Sequence, residues 1–270
     1  MTSRPDNSYS TESQVARDIL SRYREVLRKS RERESVLRFG RRTVAVSSIA
    51  QQFYCEMALH LSILRPLRPT REMQSGTAGH EAVAALGVPM THEESVEEAL
   101  VEREKPLCIY EFRIGWEHNG VPILGFVDEA WFKGGSVEVV AERKFSGSLG
   151  IYEPYHVQAG LYCLGLGEMG FDTSHARYCI SVFRRECHDC ERLGKGTCPL
   201  QTGDRSSYEC DRGAGVSTCF PFDSEKATSD MEWALDYWTF DREPKPSPSP
   251  RKCKACRWKS HCEYSLADES

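Results

Sequence analysis

The stretch that decides the fold is VPILGFVDEAWFKGGSVEVVAERKFS, residues 121–146. Two runs rich in Val, Ile, Phe and Trp flank Lys133-Gly134-Gly135-Ser136. β-Branched and aromatic side chains fit a pleated, half-buried surface. The glycine pair supplies the positive φ of a tight turn. The segment therefore reads as an antiparallel hairpin with strands over 121–132 and 137–145. If Phe132 pairs with Val137, Asp128 falls opposite Ala141, one residue from Glu142. A loop one residue shorter sets Asp128 opposite Glu142 itself. Either register brings two carboxylates together on adjacent strands. Glu142 and Lys144, two apart, share a face. Val137, Val139, Val140 and Ala141 read as buried, with Glu142 and Lys144 at the end of that run.

Two neighbouring carboxylates repel unless a cation joins them. Hard oxygen ligands suit Mg²⁺ or Mn²⁺, and such a cation holds phosphates and acidifies water. Lys144 would stabilise charge on the phosphate or orient the water. The bland reading of Glu142-x-Lys144 is a surface salt bridge; Glu243-Pro244-Lys245 repeats the pattern in a proline-rich connector.

Working outward, a strand at 107–116 joins the hairpin through Asn119-Gly120, a strong turn signal. Pro154 opens a helix running to about Glu168, closed by Gly170, and its Gln158 and Tyr162 share one face. A strand covers 176–184 and a helix 223–241. Before the hairpin, residues 43–65 read as a short strand or turn and then a helix capped by Ser47 or Ser48. A second helix covers His80 to Leu86 and stops at Gly87-Val88-Pro89. Residues 1–10 read as a disordered tail. Residues 11–39 read as a charged helix with a thin stripe of Val15, Ile19, Leu20, Tyr23, Leu27 and Val36, either docked on the body or contacting DNA. Between Ser21 and Arg42 it carries nine basic residues against three acidic ones.

The 270 residues carry a formal net charge of −5, so no global field favours nucleic acid, although binding faces are local. No apolar run is long enough to span a bilayer, and the polar N-terminus lacks a secretory core. The chain reads as cytoplasmic, with no membrane partner. Twelve cysteines in that compartment point to metal or cluster ligands rather than disulfides. Cys55, Cys108, Cys163 and Cys179 are scattered through apolar surroundings. Cys253-x2-Cys256-x5-Cys262 has ligand spacing on a basic segment after four prolines between Pro244 and Pro250. It needs a fourth ligand from elsewhere. Four thiolates suit Zn²⁺ or a cubane cluster; spacing alone does not separate them, and the residues by themselves favour zinc. Residues 185–218 show no period and read as an insertion. There Cys187, Cys190, Cys198 and Cys210, with His188 and Cys219 nearby, suit a second metal, most simply Zn²⁺; free cysteines on a loop are the alternative.

In order along the chain, His80, Gly125-Phe126-Val127-Asp128, Glu142-Arg143-Lys144 and Gln158-x3-Tyr162 resemble the RecB-like branch of the PD-(D/E)XK nucleases. Cys55, upstream of the histidine, and the C-terminal trio resemble its iron–sulfur members. The likeness is greatest to the CRISPR-associated exonucleases that trim spacer precursors, and the iron–sulfur helicase-nucleases are related. It covers about 44–184 and 219–264. It implies an α/β, restriction-endonuclease-like core: a central mixed sheet flanked by helices, with a cysteine-rich insertion and a C-terminal cluster-binding tail. It also implies that His80, Asp128 and Glu142 ligate Mg²⁺ or Mn²⁺ and that Lys144 assists the water. Gln158 and Tyr162 would line the site and contact DNA. Cys55, Cys253, Cys256 and Cys262 would hold a [4Fe–4S] cluster that pins the tail. The domains expected are a basic extension at 1–42, a nuclease core at 43–184 and 219–264, and the insertion at 185–218. The expected activity is metal-dependent exonucleolytic hydrolysis of single-stranded DNA or single-stranded ends. It would serve spacer acquisition with an integrase complex, or DNA repair. The basic helix, the acidic net charge and the cysteine insertion lie outside the compact family pattern. The rivals are a non-catalytic iron–sulfur or zinc module that binds nucleic acid or protein, and an iron–sulfur redox sensor.

Overall fold

The computed structural model describes residues 8–32, 34, 37–201 and 207–268. Helix α1 (Ser8–Glu32) is followed by a two-residue strand, β1 (Val44–Ala45), then α2 (Val46–Leu64), α3 (Arg71–Ala84) and α4 (His92–Leu100). Strands β2 (Leu107–His118), β3 (Val121–Lys133) and β4 (Ser136–Ser146) lead into α5 (Glu153–Met169) and β5 (Arg177–Arg184). After them come α6 (Glu191–Gly194), β6 (Tyr208–Glu209), β7 (Gly215–Pro221), α7 (Ser224–Trp238) and α8 (Pro250–Ala255).

The strands form one mixed, seven-stranded sheet in the order β1-β3-β4-β5-β7-β6, with β2 also paired to β3. Asn119 and Gly120 take φ of 47° and 76°, and Gly134 and Gly135 take 55° and 81°, the left-handed values that tight hairpin turns require. The strands β4 and β5 are parallel, so a crossover must join them; α5 is that crossover. Every residue of α5 from Val157 to Leu166 is buried, as expected of a helix apolar all round. It packs in one core with residues of α2, α7 and the sheet.

What positions the site is a fork in the sheet. The β3–β4 ladder shifts by one residue between Trp131 and Phe132, so Phe132 faces Val137 but Glu129 faces Ala141. The bulge thus converts one of the two registers read from the sequence into the other. Pairing stops at Glu129, and further along β3 its parallel neighbour is β1, at Ile123 and Leu124. Beyond Ala141, β4 continues against β5 alone, from Glu142 to Ser146. Asp128 and Glu142 stand where the two strands part.

Several expectations need correction. Helix α1 begins at Ser8 rather than residue 11, and residues 1–7 and Val36 lie outside the described residues. It docks: Ala16, Ile19, Leu20 and Val26 are buried, and Arg24 and Lys29 pair with Glu93 and Glu117. The N-cap of α2 is Ala45, not Ser47 or Ser48, because the chain enters the helix straight from β1. Helix α3 covers Arg71–Ala84, so His80 lies near its end rather than its start. Helix α4 was not expected, although Thr91 and Glu94 form a capping box that marks it. The stretch Gly215–Pro221, whose first residues were assigned to the insertion, is a full sheet strand. Among the described residues no helix is long and apolar enough to cross a membrane.

Candidate active site

At the fork, the side chains singled out in sequence converge. Asp128 Oδ2 accepts a hydrogen bond from the Arg143 backbone N–H (2.8 Å), which replaces the ladder bond lost where the strands part. His80 reaches in from α3, its Nδ1 at 3.5 Å from the same oxygen. Glu142 is fully buried and forms an ion pair with Lys144. Among the described residues, neither Glu142 oxygen has a hydrogen bond of good geometry. Lys144 Nζ donates to Gln158 Oε1 (3.1 Å), and Gln158 Nε2 donates to Tyr162 Oη (2.7 Å). The helical spacing of Gln158 and Tyr162 thus makes a rod that fixes the ammonium. The Tyr155 ring lies 5.4 Å from Lys144 Nζ; it was not singled out, although it sits one turn before Gln158. The surface salt-bridge reading of Glu142 and Lys144 fails on burial. Glu243, in the repeat of that pattern, has a side chain 83% exposed.

Burial, then the charge of Asp128, pushes the Glu142 carboxyl up to about 8. Burial acts to lower Lys144, but the Glu142 and Asp128 carboxylates outweigh it and hold the ammonium above its ordinary range. The Tyr162 hydroxyl is raised by burial and then by the same two carboxylates. A buried carboxyl paired only with Lys144, an adjacent carboxylate and an imidazole is, by chemistry, a donor set suited to a hard divalent cation. In metal-free protein the raised Glu142 has a signed consequence. Its stabilising contribution is complete below the ordinary carboxylate value near 4.5 and is lost as pH rises to about 8. Glu142→Gln will therefore gain in Tm relative to wild type as pH is raised from 5 to 8.5. Thermal unfolding in the presence of chelator checks this, and equal pH profiles for the two proteins would contradict it.

On the opposite face of the same strands, Arg143 forms a fully buried ion pair with Glu129, and its guanidinium lies 5.6 Å from the Phe183 ring centroid. Burial raises the Glu129 carboxyl despite that partner. No sequence signal was read for this pair; the period of two that puts Glu142 and Lys144 on one face necessarily aims Arg143 at the other. Glu111, level with Asp128 in β2, has φ of 51°, and the β2–β3 ladder skips that pair.

The cysteines fall into three groups. Cys55, Cys253, Cys256 and Cys262 line one cavity of about 20 Å³ with Tyr54, Pro246 and Pro248. Cys55 leaves the helical path of α2 (φ −171°, ψ 114°), and its sulfur accepts from the Ser247 N–H at 3.5 Å. Lys252 Nζ donates to the Tyr54 carbonyl (2.9 Å), and Trp258 Nε1 donates to that of Arg65 (3.0 Å), which ties the tail to α2. Cys187, Cys190, Cys198 and Cys210 line a second cavity, of about 620 Å³; the His188 side chain lies outside the described set. Cys179 and Cys219 face each other in the β5–β7 register and form a disulfide. That corrects the expectation that disulfides are absent, and it removes Cys219 from the second metal set. Directly opposed residues on antiparallel strands have Cβ atoms about 5 Å apart, a distance invisible until the strands are paired. As the side chains stand, no three His, Cys, Asp or Glu among the described residues are close enough to hold a metal ion. Side-chain movement would be needed to close the His80, Asp128 and Glu142 set or either thiol set around an ion.

No family model matches the chain, and no curated protein matches it. Among solved structures it is similar to the crystal structure of SSO0001, at 14% identity over 89% of this chain and 95% of that one, with a TM-score of 0.42. The functional assignment therefore rests on the side chains.

Proposed function

We propose that the protein is a metal-dependent deoxyribonuclease acting on single-stranded DNA, with a cluster-clamped C-terminal tail. The observation that carries this reading is the meeting of His80, Asp128, Glu142 and Lys144 at the fork, where the buried Glu142 carboxylate has Lys144 as its ion-pair partner and no hydrogen bond on Oε2. His80, Asp128 and Glu142 would hold Mg²⁺ or Mn²⁺, which would supply Lewis acidity to a phosphodiester and to water. Lys144, fixed by Gln158 and Tyr162, donates to the phosphate oxygen that gains charge as water attacks phosphorus and the sugar oxygen leaves. Gln158 and Tyr162 act by positioning Lys144. The buried setting strengthens each of these interactions.

Cys55, Cys253, Cys256 and Cys262 fit a four-thiolate group, by resemblance a [4Fe–4S] cluster; the broken helix at Cys55 and the Ser247 N–H on its sulfur support that. Its role is structural, because it joins α2 to a tail nearly two hundred residues later, and closing so long a loop restricts the unfolded chain. Within this reading the partner beyond DNA is an integrase complex in spacer acquisition, or repair machinery. The rival is a non-catalytic module in which both thiol sets merely hold shape.

Anaerobically purified protein with Mn²⁺ will degrade linear single-stranded DNA and leave closed single-stranded circles intact, and chelator will stop it. Cleavage of circles would replace the exonuclease with an endonuclease. No chelator-sensitive degradation of either substrate by iron-loaded protein would overturn the enzyme in favour of the binding module.

A further inference from the structure

The segment between Arg185 and Ala214 has few buried residues and little regular structure. Among its described residues only Leu193, Cys198 and Leu200 are buried, and its regular structure is the four-residue α6, the two-residue β6 and two 3₁₀ turns. Units below about 40 residues usually need a metal, disulfides or a partner to keep a shape. Yet this one presents a defined apolar face: Leu193, Cys198 and Leu200 form one cluster with Phe145 of β4, Phe183 of β5 and Val83 of α3.

Its four cysteines line one cavity, and three of them sit on hydrogen-bonded turns. The Cys190 N–H donates to the Cys187 carbonyl (2.9 Å), closing the first Cys-x2-Cys turn. The Gly213 N–H donates to the Cys210 carbonyl (2.8 Å), and the Cys210 N–H to that of Gly215 (2.8 Å), which makes a second turn at the base of β7. All four thiols are free and line the same cavity. Thiolates are soft ligands, and a closed four-sulfur set suits a structural tetrahedral ion.

We propose that Cys187, Cys190, Cys198 and Cys210 bind one structural Zn²⁺, and that the module it closes holds α3, and with it His80, against the sheet. The path is short. Val83 packs on the module, and a Cβ at Gly79 would lie 2.4 Å from the Phe145 ring, so α3 is gripped between the module and β4. His80 follows Gly79 directly, and its ring lies 5.7 Å from that of Phe145. The functional weight of His80 and the iron controls below rest on the proposed function; the zinc site and the anchoring of α3 do not.

The test is elemental analysis of the full chain, purified anaerobically without chelator, joined to hydrogen exchange of the α3 amides. Wild type is expected to carry one zinc per chain in addition to iron. Cys190→Ser and Cys198→Ser each lose the zinc and keep the iron; Cys256→Ser does the reverse. Exchange in α3 quickens at least tenfold in Cys190→Ser and is unchanged in Cys256→Ser. If the serine variants do not fold, zinc is stripped from wild type with a mercurial reagent, the reagent is quenched with thiol, and exchange is read before and after Zn²⁺ is restored. Wild type without zinc, zinc kept by both insertion variants, or iron rather than zinc lost from them overturns the site. Zinc lost with α3 exchange unchanged overturns the anchoring role.

Discussion

On the proposed nuclease reading, Asp128→Asn will lower metal-dependent DNA hydrolysis about a thousandfold or more, because each 1.4 kcal/mol of lost transition-state stabilisation is a factor of ten and a metal site supplies several. The substitution is chosen to spare the fold. Asparagine keeps an oxygen to accept the Arg143 N–H at the point where β3 and β4 part, but it loses the charge that faces His80 and sits beside Glu142. It also removes one of the causes that raise Glu142, so that carboxyl will ionise at lower pH in the variant. Iron content and Tm should match wild type. An active Asp128→Asn protein would remove the fork from the chemistry, and an inactive one that had also lost its fold would be uninformative, which is why the iron and the melting curve are read in the same sample.

Glu129→Leu will cost about 3–5 kcal/mol, because it leaves the buried Arg143 guanidinium without its partner. For a chain of this size that corresponds to a fall in Tm of roughly 10 °C. The double variant Glu129→Leu/Arg143→Met removes both charges and should recover most of the loss, since apolar replacement of a buried pair is often neutral or stabilising. Arg143 lies between Glu142 and Lys144, and its own N–H holds Asp128, so the pair is the underside of the candidate site. A double variant as unstable as the single one would mean that shape, rather than the unpaired charge, sets the cost.

How much of this was legible in the sequence depends on the range of the interaction. The β2–β3–β4 meander was readable because Asn119-Gly120 and Gly134-Gly135 are local turn chemistry and the flanking strands keep their own period. The Asp128–Glu142 juxtaposition followed from the same hairpin, and the structure adds the bulge that sets its register. His80 and the Gln158–Tyr162 rod were legible as spacing and order, though α3 had been started nine residues late. Strand β7 was missed because its partner, β5, lies beyond the glycine- and cysteine-rich segment. The Cys179–Cys219 disulfide depends on that same pairing. Arg143 and Glu129 were missed because the alternation that puts Glu142 and Lys144 on one face was not followed to the charged residues on the other, which pair in the interior. The capping box at Thr91 was local and readable, and it was overlooked.

The most direct test of the central claim is hydrolysis of end-labelled single-stranded DNA by anaerobically purified protein with Mn²⁺, run beside Asp128→Asn. The fork reading predicts labelled products from wild type alone, with chelator abolishing them. Equal product from both proteins, or none from iron-loaded wild type, would contradict it.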